Sequence, residues 1–172
     1  MEIYLERSKI VTKFQLSARE NDTEWKKKII TPRVAAAGIV ESSDRKSILM
    51  VKRKYEPKGY AFPGGMMEIG ETVEETARRE IKEETGIDAE AISLMGIHSH
   101  PQSDPRWHVV IVYVLMRTKS DDEPRGMDDA LEAFWMDYNS DELSDEFVSS
   151  SKSALKDYRE WRKKEEKLPK LR

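Results

Sequence analysis

Residues 65–87 constrain this chain most, because their carboxylates lie where a plain surface helix would not put them. Residues 71–85 contain no Gly or Pro and many strong helix formers, and Gly86 follows as a C-terminal stop. Spaced about 100° apart around a helix, Val73, Ala77 and Ile81 make one apolar stripe. Glu80 and Glu84 fall on that stripe one turn further along, and Glu83 lies at its edge. Glu75, Arg78 and Lys82 point roughly the other way. A solvated acidic face should sit opposite the buried stripe, yet here three carboxylates adjoin it. Like charges three and four residues apart repel and raise one another's pKa unless a cation lies between them. Hard divalent cations take oxygen ligands, and Mg²⁺ is held by a few carboxylates plus substrate phosphates. The spacing favours a metal site.

The preceding loop supports this reading. Gly64-Gly65 lets the backbone approach a ligand and offers an unshielded carbonyl oxygen, although taken alone the pair is better explained by an ordinary turn after Pro63. Glu71 lies near the helix start, where a negative charge suits the helix dipole, and is placed to pair with Arg79.

Gly65, Glu71 and the run Arg79-Glu80-Ile81-Lys82-Glu83-Glu84-Thr85-Gly86-Ile87 together resemble the complete Nudix signature, with every fixed position filled. The resemblance extends from about Arg33 to Asp137 and on through the last helical segment, but not to residues 1–31. It implies an α/β (α+β) Nudix fold: a mixed β-sheet between helices, with the signature as a loop–helix–loop element. It also implies roles. Glu80, Glu83 and Glu84, with the Gly65 carbonyl, would bind Mg²⁺ or Mn²⁺, while Glu71, Arg79 and Gly86 would be structural. The implied chemistry is attack by water on a phosphorus of a nucleoside diphosphate linked to another group. The general base would be a helix carboxylate, Glu80 or Glu83, or one from a later loop, where Asp128, Asp129 and Glu132 are the candidates.

Composition narrows the partners. A chain of 172 residues reads as an extension over residues 1–31 and one Nudix domain over 32–172. The absence of cysteine removes disulfides, thiolate metal sites and cysteine nucleophiles. A net charge of −3 argues against nucleic acid and membrane surfaces, so a phosphate substrate must rely on local cations. The basic runs at 26–28 and 162–164 read as solvated helix faces, and the neighbouring Glu24, Glu165 and Glu166 weaken the alternative that they converge to bind RNA. No 18-residue apolar stretch occurs, and a cytoplasmic enzyme acting on a small nucleotide is the expectation. Residues 1–31 are expected to contain short strands at 3–10 and 11–16 and to form the contact of a homodimer.

Apolar runs at 33–40 and 47–51, separated by Ser42-Ser43-Asp44-Arg45, predict a hairpin, and Pro63-Gly64-Gly65 breaks the next segment. Strands are expected at 91–97, at 108–116, which is nearly all apolar and so central, and at 133–136. A final helix is expected over 144–167, packing through Phe147, Leu155, Tyr158 and Trp161.

Substrate clues come from two further stretches. Ser103-Asp104-Pro105-Arg106-Trp107-His108 resembles the DPR-x-H stretch of ADP-ribose pyrophosphatases, and residues 127–135 resemble the acidic loop and strand of that branch. Pro101 stands 15 residues beyond Gly86, near where the branch often carries a proline. Trp107 departs from the pattern, which more often has Gly there. Arg106, Arg53 and Lys54 could meet phosphate. Trp107 or Trp135 could stack on a base, though packing is the commoner fate of tryptophan. His98, His100 and His108 read as packing or surface residues. The resemblance therefore implies cleavage of ADP-ribose to AMP and ribose 5-phosphate. The alternatives are a house-cleaning hydrolase of nucleoside triphosphates or dinucleoside polyphosphates, and a non-catalytic nucleotide sensor.

Overall fold

The hairpin forms where the sequence places it. In the computed structural model, β1 (Arg33–Glu41) and β2 (Ser47–Arg53) flank a turn closed by Ser42 N–H, which donates to the Ser47 carbonyl at 2.9 Å. The Asp44 carboxylate accepts from Lys46 N–H at 3.0 Å and from the Ser42 hydroxyl at 2.8 Å, the short polar side chain folding the turn onto itself. Residues 31–165 are described, apart from 119, 121 and 144. The strands expected at 3–10 and 11–16, the basic run at 26–28 and the expected dimer contact lie outside the described residues.

β1 and β2 soon part. Their register is Glu41↔Ile48, after which β2 pairs with β3 (Tyr60–Ala61) and, over most of its length, with β7 (Ala130–Asp137). The edge of β1 released in this way is taken by β4 (Gly64–Met66), with Ala36 opposite Gly65. The expected break falls at Phe62-Pro63, between β3 and β4, and the two glycines after it start a strand. A side chain at Gly64 would run into the Ala36 carbonyl and Ala37, and one at Gly65 into the Glu80 carboxylate. Only residues without Cβ let this strand lie so close.

The other edge of β1 runs parallel to β6 (Val109–Thr118) in unbroken register from Arg33↔Val109 to Glu41↔Arg117. β5 (Ala89–His98) closes that side antiparallel to β6. β6 is thus interior, as its apolar run predicts.

Alternation along the central strands sends side chains to two helices on opposite faces. Ala36, Val40, Leu49, Val114 and Met116 pack with Ala77 and Ile81 of α1 (Val73–Thr85). Ala37, Ile39, Ile48, Met50, Tyr113 and Leu115 pack with Ala154, Leu155 and Tyr158 of α2 (Ser149–Glu165). The result is a mixed sheet between helices. α2 begins at Ser149 rather than 144, because backbone bonds between Tyr60 and residues 146 and 148 hold the preceding chain extended against β3. Arg162 is not part of a solvated basic face either: its side chain is 11% exposed, lies over Tyr138 and pairs with Glu165 and Glu41. No helix among the described residues is long and apolar enough to cross a membrane.

Candidate active site

α1 is fixed at both ends by local chemistry. Thr72 caps the N-terminus by accepting from Glu75 N–H at 3.2 Å, and the Glu75 carboxylate accepts from Thr72 N–H at 2.8 Å. Gly86 terminates it at φ 75°, a left-handed conformation that suits glycine. The last carbonyls are then engaged by a distant loop. Arg125 N–H donates to Thr85 O at 3.0 Å and Met127 N–H to Glu84 O at 2.9 Å. These bonds tie the loop bearing Asp128 and Asp129 to the end of the acidic helix.

Arg79 organises the acidic turn. Its Nε and Nη2 donate to the two oxygens of Glu71 at 2.7 and 3.0 Å, and Nη2 also donates to Met66 O at 3.1 Å. Nη1 reaches Glu80 at 2.8 Å and Glu83 at 3.1 Å. Glu71 also accepts from Glu68 N–H and the Thr76 hydroxyl, and the Arg79 guanidinium leads in holding its carboxyl down at about 2. Loop and helix are therefore clamped by a bidentate ion pair.

Glu84 is in a different situation. It is 6% exposed, and its carboxylate accepts from Gly64 N–H at 3.0 Å. Burial pushes its carboxyl up to about 7, and repulsion from Glu80 and Asp129 adds to this, against the pull of the Gly64 N–H and Arg53. Glu80 is likewise raised, first by burial, with Arg79 opposing.

These groups line one cleft of about 450 Å³. Gly65, Glu80, Glu83, Glu84, Asp128 and Asp129 stand around it together with Arg53, Arg106 and Trp107. Glu132 does not: it lies on β7, pairs with Lys52 at 3.2 Å and is absent from the lining. Trp135 packs against the cluster under α1, and the three histidines lie outside the lining, His98 bonding to Asp157 and His108 to Ser99 O. Lys54 is also outside it.

Sequence reasoning gave no role to four residues of the cleft. Arg33 lies 3.7 Å from the Trp107 ring centroid, Asp104 holds Arg106 through bonds of 2.8 and 3.0 Å, and Ser150 and Ser151 of α2 reach the cleft floor. Arg33 and Trp107 meet only because β1 and β6 are parallel neighbours, which nothing near either residue announces.

The donor set is all oxygen and unevenly compensated. Among the described residues no three acidic or imidazole side chains already converge on one point, and Nη1 of Arg79 stands against Glu80 and Glu83. A buried carboxylate that accepts from a backbone N–H, beside two more carboxylates, is nonetheless what a hard divalent cation would stabilise. The residues fit such an ion.

Comparison with known proteins agrees. The NUDIX domain model matches residues 31–158. The ADP-ribose pyrophosphatase of Methanocaldococcus jannaschii is 38% identical over 146 residues, covering 84% of this chain and 83% of that protein. A NUDIX hydrolase structure from Nitrosomonas europaea superimposes with a TM-score of 0.68 at 23% identity, over 83% of this chain and 77% of that one. A MutT NUDIX hydrolase from Burkholderia pseudomallei gives 0.60 at 27%, over 74% and 98%. The chain belongs to the NUDIX domain family, and its class is that of the Nudix hydrolases.

Proposed function

We propose that the protein hydrolyses ADP-ribose to AMP and ribose 5-phosphate with Mg²⁺ or Mn²⁺. The observation that carries this reading is the gathering of Glu80, Glu83, Glu84, Asp128, Asp129 and the Gly65 backbone on one cleft that also contains Arg53 and Arg106. The 38% identity to an ADP-ribose pyrophosphatase supports the choice of ADP-ribose.

Glu80, Glu83 and Glu84, with the Gly65 carbonyl, would hold the ion. When bound, a divalent cation neutralises the diphosphate and makes water a better nucleophile at neutral pH. The chain supplies the rest. Arg53 and Arg106 balance phosphate charge, Arg106 being aimed by its fork to Asp104. Water attacks one phosphorus, the bond from that phosphorus to the bridging oxygen breaks, and a loop carboxylate accepts the water's proton. Asp128 or Asp129 is better placed for this than Glu132, whose carboxylate is engaged by Lys52. Residues 1–31 would form a separate extension through which two copies pair, which light scattering of the full chain tests.

A panel of nucleotides incubated with Mg²⁺ tests the main reading. AMP and ribose 5-phosphate should appear from ADP-ribose faster than products appear from nucleoside triphosphates or dinucleoside polyphosphates. No cleavage of ADP-ribose, with rapid turnover of another compound, would remove it.

A further inference from the structure

The cleft has a second end, which the hydrolytic chemistry leaves unexplained. Trp107 is 46% exposed and lines the cleft, and the Arg33 guanidinium lies 3.7 Å from its ring centroid. Both residues stand where β1 and β6 begin to pair. Arg33 N–H donates to His108 O at 2.9 Å, and Arg33 pairs with Val109 at the start of the β1–β6 ladder. This end therefore presents an aromatic face beside Arg33 and the Asp104–Arg106 pair, whereas the end near Gly65 is acidic.

Resting on the reading of a nucleoside diphosphate substrate, we infer that the Arg33–Trp107 pair is a stacking platform for the nucleobase. Distance supports it first. Gly65 lies opposite Ala36, and Arg33 is three residues further along β1, roughly 10 Å at about 3.3 Å per residue. That is of the order of the reach from a diphosphate across a ribose to its base. Chemistry points the same way. A terminal ribose would call for acceptors, and both oxygens of Asp104 at this end already receive Arg106. An indole offers instead a flat apolar face, which suits any base. The pair is also ordered in advance, because a guanidinium held against the ring limits its rotamers before the ligand arrives, which lowers the cost of binding. The platform holds any aromatic base and does not choose among them, so Trp107 acts on affinity for the nucleotide half of the substrate. Arg33 is a positioning residue acting through Trp107.

Calorimetric titration with AMP and with ribose 5-phosphate separates the two halves without relying on turnover. Trp107→Leu should weaken AMP binding roughly tenfold, Trp107→Phe should restore most of it, and ribose 5-phosphate binding should not change. Arg33→Ala should weaken AMP roughly threefold. With ADP-ribose as substrate, the loss in Trp107→Leu should fall in KM more than in kcat. Unchanged AMP affinity in Trp107→Leu, or a loss confined to ribose 5-phosphate, overturns the platform; unchanged AMP affinity in Arg33→Ala removes Arg33 from it. Failure of the unmodified protein to cleave ADP-ribose would instead sink the proposed reaction, whatever the AMP titrations show.

Discussion

Two buried glutamates, Glu41 and Glu84, show how one side chain is made structural in one place and reactive in another. Glu41 is fully buried at the end of β1, yet its carboxylate accepts from Arg45 at 2.9 Å, Arg117 at 2.9 Å and the Tyr158 hydroxyl at 2.9 Å, with Arg162 at 3.6 Å. Burial alone would raise its pKa, but the arginine and tyrosine bonds prevail and hold it below the usual value. Glu84 is almost as buried, faces Glu80 and Asp129, and is pushed up to about 7. Burial is common to both; compensation is not. Glu41 joins β1, β6 and α2, whereas Glu84 keeps a charge deficit that a ligand can fill.

The largest expected effect tests the uncompensated member. Glu84→Gln and Glu80→Gln should each cut turnover at least roughly a hundredfold while leaving the fold intact, since each removes a charge from the proposed ion site. Near-normal rates in both would erase the contrast between the two glutamates. The compensated member should respond through stability instead. Glu41→Gln should cost about 2 kcal/mol in denaturant unfolding, below the usual loss for a broken buried pair because Arg45 and Arg117 are about a third exposed and stay hydrated. Turnover per folded molecule should hold, and a full loss of activity with normal stability would contradict the assignment.

The two residues should also part in their response to pH. With the folded pKa of Glu84 at about 7 and an unfolded value of 4.5, the folded chain binds the extra proton between these limits. Stability of chelator-treated protein should therefore fall as pH rises from 5 to 7, by about 2 kcal/mol, the slope staying below the roughly 1.4 kcal/mol per unit of a full proton. Thermal melts should show the slope shrink in Glu84→Gln, with Glu80 supplying what remains, and persist in full in Glu41→Gln; an unchanged slope in Glu84→Gln would assign it to another group. The smallest effect probes what holds the acidic helix. Thr72→Ala removes one half of the capping box and should cost about 1 kcal/mol, read from urea unfolding midpoints. No measurable loss would mean that packing alone fixes the helix start.

Much of the acidic region is legible in the sequence. Val73, Ala77 and Ile81, the carboxylates beside them, Glu71 with Arg79, and the Gly86 stop all follow from helix spacing, which is local. The Glu41 cluster is not legible there. Its arginines come from a turn, from β6 and from α2, and a glutamate ending an apolar strand gives no sign of them. The start of α2 escapes as well, because a backbone bridge to Tyr60 outweighs the helix propensity of residues 144–148. Glu132 and Asp128 illustrate the same limit: four residues apart in sequence, one faces Lys52 and the other the cleft.

The sequence by itself determined the sheet-and-helix composition, the acidic helix with its caps, and the oxygen-only character of the site, since these depend on residues within a few turns of one another. Tertiary structure alone decided which carboxylates share a cleft, which buried glutamate is neutralised, and that Arg33 meets Trp107. The physical reason is that electrostatic compensation and stacking depend on distances across strands, and those are set by which edges of the sheet pair.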